Sequence, residues 1–148
     1  MSATAQGTRP PIAERIVTGL ADAVLLEIAG LLDQLIRTGE DGAIDLRSLP
    51  MTDADRAQLK ARLGVGEVRA TLDVAGPSTV EETAIAGVWW VRHEGADGCV
   101  ASEQIAVTRI PAILITHPDD LAAGAARLQD LIDGDGIPPE QETAHEPS

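Results

Sequence analysis

From Ile12 onward, apolar residues recur every three or four positions: Ile12, Ile16, Leu20, Val24, Ile28, Leu31 and Leu35. That spacing puts them on one stripe of a helix, which Val17, Leu25, Leu32 and Ile36 widen. Glu14, Arg15, Asp22, Glu27, Asp33 and Arg37 fill the polar remainder, and Gly39 offers a C-terminal stop. The pattern predicts a long amphipathic N-terminal helix over 12–39, on the order of 40 Å at 1.5 Å per residue. Ahead of it, residues 1–11 are small and polar and end in Pro10–Pro11, as expected of a flexible leader.

After a connector whose only apolar pair is Ile44 and Leu46, Thr52 is placed to cap a second helix. Asp53 and Asp55 suit its first turn, Leu59 and Leu63 continue it, and Gly64 stops it. The period then changes. Val68, Ala70, Leu72 and Val74 alternate with Arg69, Thr71 and Asp73, the pattern of a half-buried strand. Strands are predicted over 79–85, 88–93 and 99–110, with a hairpin loop over Glu94–Gly98. Pro111 breaks the run, so 112–115 is expected as an edge strand or an extended link. A last helix begins at Pro118 with Thr116 or His117 as cap, and Leu121, Leu128, Leu131 and Ile132 mark its apolar side. Residues 135–148 hold Pro and Glu without helical pattern and are expected to form a disordered acidic tail. The predicted fold class is α+β: an antiparallel β meander packed with helices over 44–134, preceded by the long helix.

Composition narrows the function classes. The 148 residues carry a formal net charge of -13, which repels nucleic acid and anionic membrane surfaces. No run is long and apolar enough to span a bilayer, and Met1–Pro11 has no apolar signal core, so a cytoplasmic protein without membrane insertion is expected. The one cysteine, Cys99, excludes an internal disulfide and a cysteine-rich metal centre within this chain. His93, His117 and His145 have no helical partner or nearby thiol, so they read as surface or capping residues. Gly64–Val65–Gly66 lies between helix and strand, the reverse of a phosphate-binding turn. Glu81 and Glu82 point to opposite faces of one strand and cannot work as an acid–base pair. No catalytic, cofactor or metal site is expected; the sequence does not read as an enzyme.

Aromatic content is 1%, and both tryptophans are adjacent in Gly87–Val88–Trp89–Trp90–Val91. On a strand, Trp89 and Trp90 face opposite sides. One is expected in the core; the other is either covered by the domain's own helices or left as an outer anchor for a partner. Val88, Trp89, Trp90, Arg92 and Arg109 are therefore the candidate partner-binding residues. The long helix carries more apolar surface than one small sheet covers, so a homodimer is a further possible mode.

Ser48–Leu49–Pro50–Met51–Thr52–Asp53–Ala54–Asp55 and Leu63–Gly64–Val65–Gly66–Glu67–Val68 resemble the hydrogenase expression/formation proteins of the HupH/HyaF family. Gly76–Pro77–Ser78–Thr79–Val80–Glu81–Glu82–Thr83, Ile85 to Val91, and Arg109–Ile110–Pro111–Ala112–Ile113–Leu114 continue the match to the C-terminal-type domain. The resemblance spans about residues 46–122. The family's longer members carry two related copies of this domain; one copy behind a helix looks like its short, HupJ-like members. What the resemblance implies is a cytoplasmic assembly chaperone of uptake [NiFe]-hydrogenase maturation. Its expected partner is the Fe–S small subunit or its precursor before twin-arginine export, with other hydrogenase accessory proteins as possible partners and no cofactor.

Overall fold

The N-terminal helix, α1 (Leu20–Thr38), starts about two turns later than the apolar stripe predicts. Ile12–Arg15 form a separate 3₁₀ turn, Ile16 is extended, and Gly19 adopts a left-handed φ of 96°. The cause is tertiary. The Asp55 carboxylate accepts the Thr18 N–H at 2.7 Å and the Thr18 hydroxyl at 2.6 Å. The Thr52 hydroxyl donates to the Ile16 carbonyl at 2.6 Å, and the Asp53 N–H donates to Glu14 at 2.8 Å. These bonds hold Ile16 and Thr18 against the start of the next helix, a geometry that one continuous helix does not allow.

The computed structural model describes residues 11–73 and 75–134; the expected leader before Pro11 and the expected tail over 135–148 lie outside the described residues. Helix α2 (Asp53–Leu63) begins at the predicted cap, where the Thr52 hydroxyl accepts the Asp55 N–H and Asp55 accepts the Thr52 N–H at 3.1 Å. This reciprocal box satisfies two donors that a helix start leaves free. Burial alone would raise the Asp55 carboxyl pKa. The four bonds with Thr18 and Thr52 outweigh that and hold it below the ordinary carboxylate range. One buried residue thus caps α2 and fixes the start of α1.

Five strands form one sheet: β1 (Gly42–Asp45), β2 (Arg69–Asp73), β3 (Pro77–Glu82), β4 (Val88–Glu94) and β5 (Val100–Val107). Their order is β1-β5-β4-β3-β2, and every neighbouring pair is antiparallel. The meander β2 to β5 follows the predicted strands. β1 was not predicted: only Ile44 is buried among its four residues, too short a pattern for alternation to show. Since β1 and β2 occupy opposite edges, the chain between them, including α2, must pass across the sheet.

That passage places α2 on the same face as α1. Ala21, Val24 and Ile28 of α1 and Leu59 and Leu63 of α2 form one core cluster with Ile44, Val88, Trp90, Ile105 and Val107 of the sheet. With no Phe or Tyr in the chain, Trp90 is the one aromatic side chain in this cluster.

The chain divides after Pro111 into two compact units. The second contains a 3₁₀ turn, Ala112–Leu114, where an edge strand or extended link was expected, and helix α3 (Pro118–Asp133). The predicted His117 cap is present: its ring nitrogen accepts the Asp119 N–H at 3.0 Å, with Pro118 in the first turn. No residue of α3 is buried, although the sequence marks an apolar side on it.

Candidate functional site

Trp89 and Trp90 do face opposite sides of the sheet, but neither is an outer anchor: they are 6% and 5% exposed. Each indole N–H has an acceptor, which removes most of the cost of burying it. Trp90 donates to Glu103 at 2.9 Å, and Trp89 donates to the Thr108 carbonyl at 3.1 Å. The remaining candidates are divided. Val88 lies in the core on the Trp90 side, Arg92 is exposed on that same side, and Arg109 is exposed beyond the end of β5. The five residues do not make one patch.

What the structure gathers instead is a cleft at the edge of the Trp90 ring. A cavity of about 280 Å³ is lined by Lys60 of α2, by Gly64, Val65, Gly66 and Val68 of the loop after it, and by Glu81 to Thr83 beside Trp90. A second cavity of about 210 Å³ shares Lys60, Arg69, Glu81 and Trp90 with it and adds Thr79 and Arg92. The strand register explains the grouping: Glu81 lies opposite both Arg69 and Trp90, while Thr79 lies opposite Arg92.

The charges in this cleft are arranged around the indole. The Lys60 ammonium stands 4.7 Å from the Trp90 ring centre, a cation–π contact. Glu81 is bracketed by Lys60 at 3.2 Å and Arg69 at 3.3 Å, and Glu103 is shared by Trp90 and Arg56, the latter at 3.3 Å. Among the described residues, Arg92 is held only by a 3.7 Å pair with Glu94. Three cations, Lys60, Arg69 and Arg92, thus stand around the cleft against Glu81 and Glu82, on a chain whose net charge is -13. Exposed pairs of this kind are worth at most about 1 kcal/mol, so the cations are available to a new acid group.

The mouth is built to a fixed shape. Gly66 donates its N–H to the Glu82 carbonyl at 2.8 Å, and Ala84 donates to the Leu63 carbonyl at 2.9 Å. A Cβ on Gly66 would stand 2.4 Å from the Thr83 carbonyl oxygen, closer than any real contact. Gly66→Ala is therefore expected to push the loop off β3 and to cost about 1–3 kcal/mol, measured by urea unfolding followed by tryptophan emission. β2 borders this mouth and is an edge strand, so one side of its backbone has no partner strand among the described residues. An apolar side chain on the indole and a carboxylate on the cations would together fit an extended peptide. Among the described residues there is no group of three His, Cys, Asp or Glu placed to hold a metal ion. Cys99 is exposed in the β4–β5 hairpin, and no helix is long and apolar enough to cross a membrane among the described residues.

Of the residues lining this cleft, sequence reasoning named Trp90 and Arg92 as candidates and did not name Lys60, Arg69, Glu81, Val65 and Val68. The available signal was Val65, an apolar residue set between two glycines immediately after a helix stop.

The model of the HupH hydrogenase expression protein C-terminal conserved region matches residues 19–134, so the chain belongs to the HupH family. A solved structure, the hydrogenase expression protein HupH from Thiobacillus denitrificans ATCC 25259, is 43% identical with a TM-score of 0.74. That match covers 76% of this chain and 94% of the other. The hydrogenase expression/formation protein HoxQ of Azotobacter vinelandii is 30% identical, over 84% of this chain and 45% of that protein. HupH of Rhizobium leguminosarum bv. viciae is 31% identical over 73% and 38% respectively. The chain spans less than half the length of these curated relatives.

Proposed function

We propose that this protein is an accessory factor of [NiFe]-hydrogenase maturation that works by binding a client rather than by catalysis. The client is the Fe–S small subunit or its precursor, held in the cytoplasm before export. Family membership over residues 19–134 carries the reading, since the curated relatives are named for hydrogenase expression and formation. The cleft supplies a physical means. Its indole, fixed glycine loop and cationic rim suit an extended client segment with an apolar residue next to an acidic one.

The paired substitution Lys60→Glu and Arg69→Glu reverses the rim; it replaces no member of the core cluster, and its one contact with that cluster is the Lys60 cation–π contact to Trp90. It is expected to weaken client binding about tenfold or more, chiefly by placing like charges against the client acid. Calorimetric titration of the folded variant with the purified precursor measures this; unchanged affinity removes the cleft from the account.

A second reading, a homodimeric scaffold, is favoured by Leu26 and Ile36, which stay exposed on α1. A monomer mass by sedimentation that does not change with concentration rejects it.

A further inference from the structure

Strand β2 pairs with β3 on one side and ends the sheet on the other. The phase of the ladder decides which residues face that free edge. Glu82 donates its N–H to the Val68 carbonyl at 2.9 Å, one position before Arg69 and in the same register. Antiparallel bonds recur at every second residue, so Ala70 and Leu72 bond to β3. The N–H and C=O groups of Arg69, Thr71 and Asp73 therefore point outward. After Pro111 the described residues form a 3₁₀ turn and a helix, whose backbone bonds are internal, so they hold no strand for this edge.

An open edge is a template for another chain, and its side chains decide which chain fits. About Thr71, the sequence Arg69–Ala70–Thr71–Leu72–Asp73 is complementary to itself. Set antiparallel to a second copy across a two-fold axis at Thr71, Arg69 meets Asp73, Ala70 meets Leu72, and Thr71 meets Thr71. This alignment also opposes outward-facing residues to one another. Each of the pairs Arg69–Asp73, Thr71–Thr71 and Asp73–Arg69 would exchange two N–H···O bonds. The charges are free to be shared. Asp73 is exposed and enters no ion pair among the described residues, and the exposed Arg69 holds only Glu81, at 3.3 Å. The opposite edge lacks this property: β1 carries a single charge, Asp45, whose carboxylate accepts the Arg47 N–H at 3.0 Å.

We propose that β2 is a homodimerisation edge, where two copies pair antiparallel through Arg69–Asp73 about a two-fold axis at Thr71 and join their sheets into one. This edge is a different surface from that of Leu26 and Ile36 on α1, and its pairing needs no client. Arg69 belongs both to this edge and to the rim of the Trp90 cleft. A client strand laid on β2 and a second copy therefore exclude each other.

Sedimentation velocity of the full chain tests this over a concentration series at about 0.15 M salt, which screens the net charge of -13 on each copy. A monomer–dimer equilibrium is expected. Arg69→Asp and Asp73→Arg each set like charges opposite one another in both ion pairs, so each variant alone should self-associate at least about tenfold more weakly. Their equimolar mixture should recover the dimer, because the acids of one edge then meet the arginines of the other. Circular dichroism checks that both variants fold. A wild type that stays monomeric at every concentration overturns the proposal while leaving client binding at the cleft unaffected. A dimer that neither variant weakens overturns it by putting the interface elsewhere. Weakening in both variants without recovery in the mixture overturns it too, since the charges then do not face each other across two copies.

Discussion

Replacing Asp55 by alanine is expected to destabilise the protein by about 3 kcal/mol, because three donors lose their acceptor at once. The Thr18 N–H, the Thr18 hydroxyl and the Thr52 N–H all point at this carboxylate, at 2.7, 2.6 and 3.1 Å. The side chain is fully buried, so water cannot replace it readily. The loss is also expected to free the residues before α1, since Thr18 has no other tie to α2 among its hydrogen bonds. The same group sets an acid limit. Its folded pKa lies below the unfolded value, so the stability it contributes is present in full above that unfolded value of about 3.9. That contribution fades as pH falls further, through the folded value. Urea unfolding at pH 7 and at pH 3 should therefore differ more for the wild type than for Asp55→Asn, which has no charge there to lose.

The second large effect falls on Trp90. Trp90→Ala is expected to cost about 3–5 kcal/mol, the range for removing a buried large aromatic. Trp90 is the one aromatic side chain of the helix-side cluster; its loss leaves Glu103 with Arg56 alone and Lys60 without a ring beneath it. A loss of client binding in that variant would report unfolding as much as contact. Trp90→Phe is the informative change, since it keeps a π face for Lys60 while losing the N–H bonded to Glu103 and only part of the buried ring. Urea unfolding should rank the variants with alanine far below phenylalanine, and equal midpoints would contradict the placement of this indole in the core.

The local features were legible because neighbouring residues determine them. Thr52 and Asp55 make the capping box within three positions, His117 caps α3, and alternation assigns Trp89 and Trp90 to opposite faces. The stripe from Ile12 failed because Asp55, distant in sequence, binds Thr18 and outbids local periodicity. β1 was invisible because its only evidence is its pairing with β5. The exposure of an indole could not be read from period alone, and both proved covered. The cleft was hidden for a related reason. Lys60, Arg69 and Glu81 come from α2, β2 and β3, and only the register that sets Arg69 opposite Glu81 brings them to one ring. The family resemblance over residues 46–122 was legible from short segments, and the family match extends it to 19–134.

The most direct test of the central claim is an affinity pull-down of this protein from cells maturing hydrogenase, repeated with the Lys60→Glu, Arg69→Glu variant. Recovery of the small-subunit precursor with the wild type, and its loss with the folded variant, is the result predicted here. Absence of the small subunit from the wild-type capture, in cells that contain both proteins, would contradict the assignment of this chain as its chaperone.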